Sequence, residues 1–165
     1  MSPTLSFLAI DPPRRRNLAA RWATVLDRLD LECTPRPHTF TLPNGTSFTP
    51  DFYVEGMGWV VTRPSFTALA RDEETLKALA AQAADLVPDG YVPRFFALVA
   101  PAPSLQGHLV EFTAKGFLVG GRPLLLGTLC APHRQWLRTT YPQLYTSFVE
   151  RAFRGAKREE AAAAA

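Results

Sequence analysis

Apolar residues at Leu18, Trp22, Val25, Leu26 and Leu29 recur at steps of three and four, which places them on one helical face and predicts a helix over Arg14–Leu29. Pro12 and Pro13 mark its start, because proline fits a first helical turn. Pro35 and Pro37 then restrict the backbone to extended geometry. Residues 38–42 and Ser47–Val54 read as strands on either side of Pro43-Asn44-Gly45-Thr46, where Asn-Gly is the usual signal of a tight hairpin. A second turn at Glu55-Gly56-Met57-Gly58 leads into a strand over Trp59–Arg63, completing a three-stranded meander. Leu76, Leu79, Ala80, Ala83 and Leu86 predict a helix over Asp72–Leu86, with Asp72 as its N-cap. The unbroken apolar run Phe95–Val99 suits a strand buried on both faces. A helix leading into such a strand implies a crossover connection and a parallel pair. The order is α-β-β-β-α-β, an α/β (α+β) arrangement with a mixed sheet flanked by helices.

Beyond Pro101 the pattern predicts a hairpin of Leu109–Val119 and Pro123–Leu129 around Gly120-Gly121. A helix follows from about Pro132 through Arg154, interrupted or kinked at Pro142 because an interior proline removes a backbone donor. Residues 1–156 form one domain, and Lys157–Ala165 a frayed or disordered tail with nothing evident to pack against. Trp22 and Trp59 are read as core residues.

A chain of 165 residues, 47% hydrophobic and 20% charged, suits a single globular domain. It has no apolar run near the ~20 residues of a membrane span and no basic, apolar leader, so the expectation is a cytoplasmic protein. Two cysteines do not make a secreted disulfide framework. The net charge of +3 permits nucleic-acid binding without requiring it. Arg14-Arg15-Arg16 is the tight basic cluster, suited to forked contacts with phosphate or to solvating a helix start. Cys130-Ala131-Pro132-His133 has a spacing that could hold two zinc ligands, with Cys33 and His38 as the other pair. Buried free cysteine is the simpler reading. G-x-S-x-G and Walker-type motifs are absent.

Three blocks in order carry a family resemblance: Leu18-Ala19-Ala20-Arg21-Trp22, Phe48-Thr49-Pro50-Asp51-Phe52 and Trp59-Val60-Val61-Thr62-Arg63. Together they resemble the PD-(D/E)XK nuclease superfamily, in particular a short single-domain branch of phage and actinobacterial sequences. The resemblance runs from about Arg14 to Leu86 and implies a restriction-endonuclease-like core. In that family a helix glutamate, an aspartate entering an aromatic strand and a Glu-x-Lys strand assemble a magnesium site. Hard divalent cations take oxygen ligands, and the metal activates water for phosphodiester hydrolysis. Strand positions i and i+2 face one side, so Glu-x-Lys aims both groups at the metal.

The expected positions are here Ala19, Asp51, Val61 and Arg63, of which Asp51 alone keeps the family's residue. Arginine keeps a charge but is not equivalent to lysine, since its planar guanidinium does not deprotonate. Glu55, Glu73 and Glu74 are the nearby carboxylates, and the last two suit a helix N-terminus. The resemblance therefore implies a catalytically inactive nuclease-like domain without cofactor. Its expected role is weak, sequence-independent nucleic-acid binding through Arg14, Arg15, Arg16 and Arg63, of the kind a phage or mobile-element accessory protein performs. The alternatives are a protein-interaction module keeping only the fold, and a magnesium-dependent nuclease with a rebuilt site.

Overall fold

The computed structural model describes residues 13–85, 94–117, 122–123 and 129–164. The first helix, α1, is Pro13–Arg28, close to the span its apolar face predicts. The strands that follow are β1 (Cys33–Pro35), β2 (Phe40–Thr41), β3 (Ser47–Phe48), β4 (Phe52–Val54) and β5 (Gly58–Arg63). Helices α2 (Phe66–Arg71) and α3 (Glu73–Asp85) lead to β6 (Phe95–Val99). Then come β7 (His108–Thr113), β8 (Gly116–Phe117) and β9 (Arg122–Pro123). A 3₁₀ turn at Pro132–Arg134, α4 (Gln135–Thr140) and α5 (Pro142–Ala164) end the described chain.

The result is a mixed α/β architecture. The main sheet runs β1-β4-β5-β6-β7-β8, with β9 also paired to β7. Pairs β1/β4, β4/β5 and β6/β7 are antiparallel, and β5/β6 is parallel with Trp59 opposite Phe95 and Arg63 opposite Val99. The parallel pair follows from the helical crossover, as the apolar run at Phe95–Val99 implied.

Alternation along the strands divides the core in two. One face presents Phe52, Val54, Val60, Phe96 and Leu98 to Leu18, Trp22, Val25 and Leu26 of α1 and to Tyr145, Val149, Ala152 and Phe153 of α5. The other presents Val61, Phe95, Ala97, Val99, Val110 and Phe112 to Leu69, Leu76, Leu79 and Ala83 of α2 and α3 and to Phe40 and Leu42. Each fully buried side chain of this size contributes roughly 1.5–3 kcal/mol. Trp22 is completely buried as expected, whereas Trp59 is only partly so.

Several expectations are corrected. Residues 38–42 do not supply a strand of the main sheet: β2 and β3 form a separate two-stranded hairpin, and Cys33–Pro35 takes the outer place in the meander. Period-two alternation reports that a strand has one buried face, not which sheet it joins. Phe40 and Leu42 bury their side chains by folding the hairpin over the sheet. The span Ser47–Val54 is broken at Thr49-Pro50-Asp51 for the same reason. Asp72 holds the expected N-cap position before α3, where its carbonyl accepts from Leu76 N at 2.9 Å, and it is at the same time the C-cap residue of α2. The unexpected α2 starts at Ser65, whose Oγ accepts a hydrogen bond from Ala68 N at 3.2 Å.

The later hairpin turns at Ala114-Lys115, between β7 and β8; Gly120-Gly121 and Leu124–Thr128 lie outside the described residues. The helix expected from Pro132 is divided at Tyr141, and Pro142 opens α5, where a missing N–H costs nothing. In the tail region α5 continues to Ala164, Ala156 is buried, and Glu159 and Glu160 pair with Arg28 and Arg21 of α1. No described helix is long and apolar enough to cross a membrane.

Gly58 fixes where β5 meets β6. Its φ is +127°, and a Cβ there would lie 2.2 Å from the Arg94 carbonyl oxygen. That carbonyl accepts a hydrogen bond from Trp59 N at 3.0 Å, so only glycine lets the parallel pair begin at this point.

Candidate functional site

The antiparallel register Phe52↔Val60 brings Asp51 alongside the end of β5. Asp51 Oδ2 accepts hydrogen bonds from Thr62 N at 2.7 Å and Thr62 Oγ1 at 3.0 Å. Arg63 Nη1 stands 3.9 Å from the same oxygen. The carboxylate thus holds the start of β4 against β5, with a guanidinium beside it.

Arg63 is 3% exposed. Its Nε donates to Asp72 Oδ2 at 2.6 Å, and its Nη1 donates to the Thr62 carbonyl at 2.7 Å. A buried guanidinium needs this kind of pairing, because taking a charge from water without a partner is expensive. The expectation of an arginine offering positive charge to a groove is therefore corrected: Arg63 lies inside the protein between two carboxylates. Asp72 is the residue that sequence reasoning missed here. It completes the cluster by sitting at the α2–α3 junction, a placement that depends on the unexpected helix α2.

Val61 is completely buried among Phe40, Leu42, Leu69 and Leu76. Ala19 does not join this group. It packs with α1 on the opposite face of the sheet, against the core that contains Val60. Of the four positions singled out by the resemblance, the fold brings Asp51, Val61 and Arg63 together and leaves Ala19 in the other layer. This donor set does not fit magnesium. Val61 offers no oxygen, and Asp51 is already engaged by Thr62 and faced by a cation. Glu73 and Glu74 lie in the first turn of α3 and pair with Lys77, at 3.8 and 3.2 Å. The backbone of Arg14–Arg16 lies in the first turns of α1, and their side chains lie outside the described residues.

The zinc arrangement does not assemble. Cys33 packs against the α1/α5 core, whereas the ring of His38 stands edge-on to Phe40, 4.6 Å away, on the opposite side of the sheet. Burial, then the charge of Asp27, raises the Cys33 thiol to about 11, which disfavours the thiolate a metal needs. Cys130 Sγ donates to the Ala131 carbonyl at 3.4 Å. Tyr145 is pushed above its ordinary phenol range by burial and by hydrogen bonding with Cys130. His133 Nε2 lies 3.8 Å from Asp30 Oδ2. Among the described residues no three His, Cys, Asp or Glu side chains gather as a metal site.

Toward the other end of β4 and β5 the same sheet face opens. A groove of about 340 Å³ is lined by Thr34, Pro37, His38, Phe40, Tyr53 and Trp59. Tyr53 and Trp59 are cross-strand partners with ring centroids 5.4 Å apart. One side of the Trp59 indole stacks on Phe95 at 5.1 Å and 17°. The Phe40 ring stands nearly perpendicular to it at 78°, with centroids 5.7 Å apart, so the indole is held among its neighbours. A second concavity, of about 450 Å³, is lined by Asp27, Asp30, Leu31, Glu32 and His133.

No family model, curated protein or solved structure matches this chain.

Proposed function

We propose that this chain is a nuclease-like domain that binds nucleic acid without cutting it. The observation that carries the non-catalytic part is the sealed cluster at the end of β5. Where the family's chemistry would need a second carboxylate and a free lysine, Val61 is in the core and Arg63 is held by Asp72 and Asp51. An arginine between two carboxylates neutralises locally the charge that a metal would otherwise offset. The restriction-endonuclease-like reading of the fold is supported by the order α1, β1-β4-β5, crossover helices, β6. Binding is supported by the +3 charge and by an aromatic groove with no acidic lining residue among the described ones. The Arg14–Arg16 cluster is the proposed source of phosphate contacts.

The test is a cleavage assay in magnesium and manganese run beside a salt titration of binding to mixed nucleic acids. The expected outcome is no cleavage and an affinity that falls with salt, by a slope of roughly −0.7 per phosphate contact for a single strand. Cleavage abolished by Asp51→Ala would establish a working nuclease in its place.

One observation favours the protein-interaction reading. Trp136, Tyr141 and Leu144, around the α4–α5 junction, are 61%, 50% and 59% exposed. Absence of binding to any nucleic acid at low salt would put that reading first.

A further inference from the structure

Building on the nucleic-acid reading, we propose that the aromatic groove beside β4 and β5 is a base-stacking site for single-stranded nucleic acid. Three observations select this occupant. The lining is aromatic and partly open: His38 is exposed, while Tyr53 and Trp59 are half-buried. Trp59 is held flat against Phe95, which makes it a fixed platform rather than a mobile side chain. Every base has a π-face, so such a platform binds without sequence preference.

Charge is the second observation. Among the described residues the groove has no lining carboxylate, whereas the other concavity is lined by Asp27, Asp30 and Glu32 together with His133. The third is Arg36. It belongs to the segment that walls the groove, between lining residues Thr34 and Pro37, and it is exposed. Its backbone takes the left-handed region at φ 45°, uncommon for a residue with a side chain, and its N–H donates to the Asp51 carbonyl at 2.9 Å. Pro35 and Pro37 flank it, so its backbone belongs to a stiff segment next to two lining residues of the groove. A base on the aromatic floor with its phosphate at Arg36 is the arrangement this chemistry fits. Bases inside a duplex are already stacked, so the groove takes unpaired ones.

The experiment uses the full chain carrying Trp136→Phe. Trp22 is completely buried, so the remaining accessible indole is Trp59. Titrating an oligodeoxythymidylate at low salt is expected to quench Trp59 fluorescence, with the matched duplex binding more weakly. His38→Ala and Tyr53→Ala should each weaken single-strand binding roughly tenfold, within the range for loss of one stacking ring. Arg36→Ala should reduce the salt slope by roughly 0.7. His38 is exposed, so its substitution carries the test even if Tyr53→Ala perturbs folding. If the parent binds nucleic acid but His38→Ala and Tyr53→Ala bind equally well, or duplex binds as tightly as single strand, the groove assignment is overturned and the broader reading stands. If the parent binds no nucleic acid at low salt, the broader reading itself falls and takes the groove with it. Quenching by a proline-rich peptide in place of the oligonucleotide would overturn the proposal by assigning the groove to a polypeptide.

Discussion

Strands β4 and β5 run side by side, yet their two ends have opposite characters. At one end Asp51, Thr62, Arg63 and Asp72 are locked together, with Val61 buried beside them. At the other, Tyr53 and Trp59 form the floor of an open groove with His38 at its side. The β4/β5 backbone ladder pairs Phe52–Val54 with Gly58–Val60, and beyond it Thr62 N turns to the Asp51 carboxylate instead. The cover differs too: the α2–α3 junction brings Asp72 onto Arg63, while Thr34, Pro37 and His38 border the other end without closing it. Charged groups fill the closed end and rings line the open one. A polar cluster inside a protein is stable only when its members satisfy one another, and it then has little left to offer a ligand.

The comparison can be broken most sharply at Val61. Val61→Glu places a carboxylate at a completely buried position, and it should destabilise the fold by about 4 kcal/mol or more, measured by urea unfolding. Introducing together the residues that the proposed resemblance calls for, as Ala19→Glu, Val61→Glu and Arg63→Lys, should give no magnesium-dependent cleavage, because Ala19 faces the other layer. Recovered cleavage would show that the two layers communicate at this end.

Arg63→Met should cost about 3 kcal/mol, the low end for breaking a buried pair, because the Asp72 side chain is 35% exposed. Adding Asp72→Asn to that variant should recover part of the loss. A double-mutant cycle with no coupling between the two positions would mean that the ion pair does not hold the closed end.

At the open end the expected stability effects are smaller. Tyr53→Ala removes one cross-strand aromatic pair and should cost about 1 kcal/mol or less. A loss as large as that for Arg63→Met would show that the groove floor is structural in the same sense as the closed end.

An effect on reactivity rather than on stability concerns the sheet's opposite face. With its pKa raised to about 11 from the ordinary 9.0, the Cys33 thiol is rarely ionised at pH 8. Alkylation by iodoacetamide at pH 8 should be about a hundredfold slower in the native protein than after denaturation, rising about tenfold per pH unit until the thiol titrates. Equal rates in the two states would show that the β1 edge does not shield this side chain.

Elements whose signal is local can be read directly from the residues. The apolar steps from Leu18 to Leu29 require α1, and the apolar run Phe95–Val99 requires a buried strand. Pro142 determines where α5 starts, and Asn44-Gly45 supplies the hairpin turn, with Gly45 at φ 84°. The sequence also placed Asp51 beside the strand that carries Arg63, because a meander with a short turn permits few registers. Tertiary structure decided the rest. Whether β2 joins the main sheet or folds over it depends on what Phe40 and Leu42 bury, not on their alternation. Whether the terminal alanine-rich stretch stays helical depends on α1 lying alongside with Arg21 and Arg28. Arg63 differs from a surface cation through its burial and through Asp51 and Asp72, the latter nine residues away and delivered by the junction of α2 and α3. A side chain's charge is written in the sequence, but its availability is set by the groups the fold brings against it.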